Sequence, residues 1–325
     1  MTITVVVPIY NMLSTRGAGC IHRCLAALGE QTRPPDEICL VDSSDDGTTD
    51  LLPDLCPQAQ VIHADQRLLS GAARNRGVEA TSGEVVAFID SDCVASSNWL
   101  EAIEQELQNH PDAPGATAPI RGPDDENLLA RMDRLLHISY LLCLSRTDWT
   151  NTASTSGLAV RREAFLAVGG FDGSVLGNPD PILCRALVRR YGPLRVARRA
   201  WVEHLSRDTL DAVLFHQRRF GRGFVDGRSA SPELQGAIAL RYPALIPLLP
   251  IVRSLLLIGR LARYDRPGLA TVLAHPFLLA RLMAAWTRGV WEAAHGETSR
   301  EWDISTERAG REAGGWESGG PRRPG

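Results

Sequence analysis

Val85-Val86-Ala87-Phe88-Ile89-Asp90-Ser91-Asp92 is the stretch on which the fold turns. Its unbroken apolar run reads as a strand buried on both faces, with carboxylates placed directly at its end. The N-terminus repeats the pattern. Ile3 to Ile9 reads as a strand followed by Tyr10 and Asn11, Cys20 to Gln31 as a helix, and Glu37 to Asp42 as a strand followed by Ser43-Ser44-Asp45-Asp46-Gly47-Thr48. Such alternation predicts an α/β chain with a mostly parallel central sheet flanked by helices. In open sheets of this kind ligands collect beyond the carboxyl ends of the strands, so Asp42, Asp90 and Asp92 belong to one edge. A charge directly after a buried strand is costly unless paired or bound to a ligand. Asp45, Asp46 and Gly47 read instead as turn and cap residues.

Composition narrows the chemistry. A chain of 325 residues is long enough for roughly two structural units. All 35 residues of its Lys+Arg count are Arg, which excludes Schiff-base, pyridoxal-phosphate and P-loop mechanisms that need a lysine. Seven scattered cysteines, an odd number, point to a reducing compartment. Cys20 and Cys24 lack the second pair that a tetrahedral zinc site requires. The chain opens on a strand without a basic or long apolar leader, so no secretory signal is expected. Asp90 and Asp92, two positions apart, can form a hard-oxygen site of the kind that Mg²⁺ or Mn²⁺ shares with phosphate oxygens.

The ordered set Val5-Val6-Val7-Pro8-Ile9-Tyr10-Asn11, Gln31-Thr32, Val41 to Thr48, Ala73-Arg74-Asn75-Arg76-Gly77, Phe88 to Asp92 and Gly169-Gly170-Phe171-Asp172 resembles the family-2 glycosyltransferases. The resemblance implies a GT-A fold and inverting transfer of a sugar from a nucleotide diphosphate sugar donor to an acceptor hydroxyl. It implies that Pro8, Tyr10 and Asn11 line the base pocket, that Asp42 accepts a hydrogen bond from the base, and that Arg74 faces the nucleotide. Asp90 would approach ribose or metal, and Asp92 would ligate Mn²⁺ or Mg²⁺. In the family the base is the Asp of an acidic pair after the Gly-Gly-Phe-Asp block. Here that stretch reads Leu176-Gly177-Asn178-Pro179-Asp180, so Asp180 alone remains as the catalytic candidate. Its competing reading is a helix N-cap.

Ala200-Trp201-Val202-Glu203-His204 resembles the strand that ends in a His near the metal and diphosphate of related enzymes, which implies that His204 is a further metal ligand. Gln217, Arg218, Arg219 and Gly221-Arg222-Gly223 resemble a loop or helix that closes over the donor, and Ser154-Thr155-Ser156-Gly157 the polar approach to the acceptor. Trp149 would stack on a sugar or anchor packing. Residues 185 to 228 hold eleven arginines against four acidic residues, an anion-binding excess without the aromatic pattern of a nucleic-acid reader.

The expected organisation is a transferase domain over residues 1 to 230, divided into a nucleotide half to 112 and an acceptor half from 113, with Leu128 to Leu144 a helix. A helical C-terminal extension follows over 231 to 296, then a disordered tail from 297. Prolines and arginines interrupt the apolar runs 240–261 and 269–291, so no full span is expected and the extension suits peripheral contact with a membrane. The reading is a metal-dependent enzyme on the cytoplasmic side, working on a glycan or lipid-linked acceptor in cell-surface polysaccharide or glycolipid synthesis. Its rivals are a sugar nucleotidyltransferase and an impaired transferase-like binding protein.

Overall fold

The computed structural model describes residues 1–177, 179–234 and 236–296; the expected tail lies outside the described residues. The strands are β1 (Ile3–Ile9), β2 (Glu37–Asp42), β3 (Gln60–His63), β4 (Val85–Phe88), β5 (Cys93–Ala95), β6 (Gly115–Thr117), β7 (Ile120–Arg121), β8 (Trp149–Thr150), β9 (Leu158–Arg161), β10 (Leu194–Val196) and β11 (Val202–His204). Eight form one sheet in the order β3-β2-β1-β4-β9-β6-β10-β8, and three form a small sheet β5-β11-β7. β3, β2, β1 and β4 run parallel, while β9 enters antiparallel between β4 and β6.

The apolar runs predicted as strands are buried on both faces because helices cover each. Val5, Val7, Ile38 and Leu40 pack under the helices Ala18–Gly29 and Trp99–Asn109. Val6, Cys39, Val41, Val86 and Phe88 pack under the helices Ser70–Glu79 and Pro179–Tyr191. Register aligns Ile9 with Asp42, and Val6 with Phe88, so the loops after β1, β2 and β4 emerge on one edge.

Two expectations need correction. The helix expected over Leu128 to Leu144 is α-helical only to Ile138 and continues as a 3₁₀ helix over Ser139–Arg146. Ile138, Leu141 and Leu144 share a core cluster at a spacing of three, which matches three residues per turn. The prolines near 245 do not interrupt helical structure either. Pro243–Leu248 is 3₁₀ and Leu249–Tyr264 is α-helical, because Pro250 falls in a first turn where no N–H is needed. Together Pro243–Tyr264 is long and apolar enough to cross a membrane. The helices Arg266–Ala274 and Pro276–Ala294 meet at 89°.

The extension shares a core with the rest of the chain. Met132, Leu135 and Val213 cluster with Leu257, Leu261, Val272 and Leu282. The helices Leu210–Ala230 and Pro276–Ala294 touch backbone to backbone. A Cβ on Gly221 would lie 2.0 Å from the Trp286 carbonyl oxygen, and one on Gly289 would lie 1.9 Å from that of Arg218.

Candidate functional site

The edge of β1 and β2 is a hydrogen-bonded loop pair. Asn11, at φ 49° in the left-handed region and 1% exposed, donates its N–H to Ser44 Oγ at 2.8 Å and exchanges side-chain bonds with Asp45 at 2.7 and 2.9 Å. Asp42 is fully buried. Its carboxylate accepts from Ser44 Oγ at 2.6 Å and Thr49 Oγ1 at 2.5 Å, and meets His63 Nδ1 at 2.8 Å. Asp42 and Asn11 thus tie the two loops together from within, and Asp42, without exposed surface, is not presented to a base as expected. Pro8 and Tyr10 are only partly buried, and the Arg67 guanidinium lies 4.2 Å from the Tyr10 ring centroid. Asp46 accepts from Thr48 and Ser14, and Gly47 sits at φ 85°, as turn residues should.

Beyond β4, Asp90 accepts from Arg74 Nη2 at 2.5 Å on one oxygen and from Ser156 Oγ at 2.8 Å on the other. Arg74 is 3% exposed, and its Nε and Nη1 have no partner among the described residues. Unpaired buried donors are expensive, so these two N–H groups are available to an anion. The neighbouring Asn75 brackets Phe171, donating to its carbonyl at 2.8 Å and accepting from its N–H at 3.0 Å. This bond set joins two motifs almost a hundred residues apart.

Asp180 lies in the first turn of the helix Pro179–Tyr191, but it does not cap that helix. Its oxygens accept from Thr155 N–H and Thr155 Oγ1, each at 3.1 Å. Burial pushes its carboxyl above the usual range, with Asp90 adding to the rise and Arg74 opposing it. The segment Ser154 to Ser156 therefore touches both carboxylates, Asp180 through Thr155 and Asp90 through Ser156. The loop before Asp180 is held by backbone contact, since a Cβ on Gly177 would meet Gly223 Cα at 2.3 Å.

Asp92 faces His204 across the small sheet, Oδ1 to Nε2 at 3.9 Å, and Arg16 Nε at 3.9 Å. Burial alone would raise its carboxyl, but His204, Arg16 and Arg207 hold it at about 2. His204 Nδ1 is engaged by Ser206 Oγ at 2.9 Å, which turns Nε2 toward Asp92. Cys93 is paired directly opposite His204, and one ligand atom from each of Asp92, Cys93 and His204 lies within 4.8 Å of the others. A carboxylate and an imidazole fit a divalent cation such as Mn²⁺. Burial holds the Cys93 thiol protonated, well above its ordinary value.

Behind His204 lies a polar shelf that the sequence did not announce. The His137 ring is 5.4 Å from those of His204 and His216, while His216 Nδ1 meets Asp133 at 2.8 Å. Asp133 also accepts from Gln217 Nε2 at 2.8 Å. Burial, with Arg207, lowers His216 to about 4, so a neutral ring donates to an ionised Asp133. Arg16 and Arg207 beside Asp92 were likewise not singled out. They come from a loop after β1 and a loop after β11, and meet only in space.

Two further expected segments can be placed. Gln217, Arg218 and Gly221 to Gly223, expected on a loop or helix, lie on the helix Leu210–Ala230, where Arg218 is bonded to Glu292 Oε2 at 2.8 Å and Gly223 meets Gly177. Trp149 lies on β8, four strands from β4, on the order of 19 Å at usual strand spacing. There it is faced by Arg195 at 4.4 Å and His110 at 5.3 Å. At the sheet's far edge it is 43% exposed, so it is neither beside the carboxylates nor a buried packing anchor.

Residues 4–169 match the profile of a family described as Glycosyl transferase family 2. The chain is 28% identical over 185 residues to glycosyltransferase AglE of Haloferax volcanii, covering 55% of this chain and 58% of that protein. It is 25% identical over 252 residues to the pre-mycofactocin glycosyltransferase of Mycobacterium tuberculosis, covering 72% of this chain and 52% of that one. The matches span about half the length of these curated relatives. Among solved structures, a mannosyltransferase from Pyrobaculum calidifontis in complex with GDP-Man and Mn²⁺ superposes with TM-score 0.53 at 19% identity, covering 94% of this chain and 79% of that one. That likeness establishes a GT-A fold.

Proposed function

Because the chain belongs to glycosyl transferase family 2, we propose that it transfers a sugar with inversion from a nucleotide diphosphate sugar to an alcohol of a glycan or lipid-linked acceptor. The observation that carries this is the bridge at Ser154 to Ser156, which sets Asp180 beside the Arg74–Asp90 pair. Residues 1–230 form the transferase unit, with the nucleotide half to 112 and the acceptor half from 113, and 231–296 form its helical extension.

The base rests against Pro8 and Tyr10, on the loops that Asn11 and Asp42 tie together. The free N–H groups of Arg74 face the diphosphate, and Asp90 orients that guanidinium toward the ribose side. Asp92 and His204 would hold a divalent cation, Mn²⁺ or Mg²⁺, which would supply positive charge to the departing diphosphate. Arg16 and Arg207 add fixed positive charge to the same place. Asp180, held by Thr155, accepts the proton of the acceptor hydroxyl as its oxygen bonds to the anomeric carbon on the face opposite the leaving group. Burial, which raises the Asp180 pKa, makes it the stronger base. The pathway is cell-surface polysaccharide or glycolipid synthesis on the cytoplasmic side.

The test is a panel of nucleotide sugars with Mn²⁺ or Mg²⁺. Nucleoside diphosphate should be released, and Asp180→Asn should lower transfer by about 10²-fold or more while leaving donor binding in place. Asp92→Ala should remove the metal dependence of donor binding. Release of pyrophosphate would favour nucleotidyl transfer instead, and full activity in Asp180→Asn would move the base elsewhere.

A further inference from the structure

Leu248, Ile251, Val252, Leu255 and Leu256 recur at spacings of three and four along one side of the helix Leu249–Tyr264 and its lead-in, and each is 49% to 65% exposed. A stripe of that period belongs against an apolar medium. Next to it the helix Pro276–Ala294 begins at Phe277, 90% exposed, and ends near Trp291, 49% exposed. A groove of about 810 Å³ runs between the two helices, lined by Pro247, Ile251, Leu255, Met283, Thr287 and Trp291.

The charge of this segment is mainly of one sign. Residues 237–296 contain seven arginines, one aspartate and one glutamate. Arg241, Arg263, Arg266, Arg281 and Arg288 are exposed. Both acids are engaged, Asp265 capping Gly268 N–H at 2.9 Å and Glu292 accepting from Arg218 and Arg288 at 2.8 Å.

The other side of the same helix is fixed to the protein. Leu257 and Leu261 enter the shared core, and Arg253 donates to the Leu136 carbonyl and to Gln217 Oε1, each at 3.1 Å, with its guanidinium 4.6 Å from the Trp286 centroid. A helix bound along one side in this way cannot be ringed by lipid, although its length would allow a crossing.

We propose that this face of the extension lies in the plane of an anionic lipid bilayer. The Leu248–Leu256 stripe and Phe277 sit at the acyl boundary, the groove receives a hydrocarbon chain, and the exposed arginines sit at the level of the lipid phosphates. This goes beyond sugar transfer. Vesicle binding needs neither donor nor acceptor, so its failure leaves the transferase reading standing, and failure of transfer leaves vesicle binding intact.

The full chain is mixed with vesicles of phosphatidylcholine, alone or with about a third phosphatidylglycerol, and sedimented. It should bind the anionic vesicles about tenfold or more tightly than the neutral ones, and salt should weaken that preference. Leu255→Glu combined with Phe277→Glu should reduce binding to both vesicle types by about tenfold or more. These side chains are exposed, so the melting temperature and donor hydrolysis should stay as in the parent chain. Arg263→Gln with Arg266→Gln should lower only the anionic preference.

Three results would overturn the proposal. The first is equal sedimentation of parent and Leu255→Glu/Phe277→Glu chains. The second is a stable dimer that the same variant dissolves, which would make this face a contact between copies. The third is resistance of vesicle-bound chain to alkaline carbonate, which would replace surface docking by a span.

Discussion

Asp180 stands where two effects compete. The first turn of a helix favours a negative side chain, yet burial outranks it and lifts the carboxyl above its ordinary 3.8. A raised pKa in a base means that activity is lost on the acid side earlier than for an exposed aspartate. The pH profile of kcat/KM should therefore rise through a limb centred above 3.8. Arg74→Gln removes the cation that opposes the rise, so it should move that limb to higher pH; a limb that stays in place would separate Arg74 from Asp180. Asp90, Asp92, Asp180 and His204 were legible because each closes a recognisable run of sequence. The bonds that hold these candidates in place were not. Thr155 reaches Asp180 and Ser156 reaches Asp90 across 25 and 66 residues, and Arg16 nears Asp92 from a loop with no pattern of its own.

Strands were the most legible elements, because a strand buried on both faces must be apolar throughout, and β1 and β2 begin and end where the sequence placed them. The 3₁₀ continuation after Ile138 was not legible, since a spacing of three is compatible with either helix. One cross-strand tie also escaped the sequence reading. Glu37 accepts from Thr4 Oγ1, from Ser82 N–H at 2.9 Å and Oγ at 2.7 Å, and from Gly83 N–H at 3.1 Å, so it fastens β1 and β2 to the turn before β4. Burial opposes its charge, but these bonds prevail and bring it to about 2 from an ordinary 4.5. Its contribution is thus present above pH 4.5 and disappears as pH falls toward 2. Glu37→Gln should cost about 1–2 kcal/mol at neutral pH, and the gap between the two melting curves should narrow over that acid window. The crossing of Leu210–Ala230 with Pro276–Ala294 offers a sharper case. Gly289→Leu would drive a side chain into the Arg218 carbonyl and should cost about 3 kcal/mol or more, seen as a lower denaturation midpoint.

At the scale of the whole molecule, the boundary expected at residue 230 coincides with the end of a helix but not with the end of a core. Composition marks the change from mixed to apolar sequence, and it cannot show that Met132 and Val213 pack on Leu257 and Leu282. A chain ended at residue 230 should consequently lose soluble yield and cooperative unfolding, because it bares that cluster and leaves Arg218 without Glu292. A cooperative melt from the shortened chain, at a temperature close to that of the full chain, would show the extension to be dispensable for folding.

Gly221 and Gly289 also decide how relatives could be recombined. A graft that swaps in a foreign C-terminal part at residue 231 inherits one half of a matched seam, so its new helix meets a surface shaped for glycine. Splices made before Leu128 would carry the seam, the histidine shelf and Arg253 together, and those are the hybrids that should assemble.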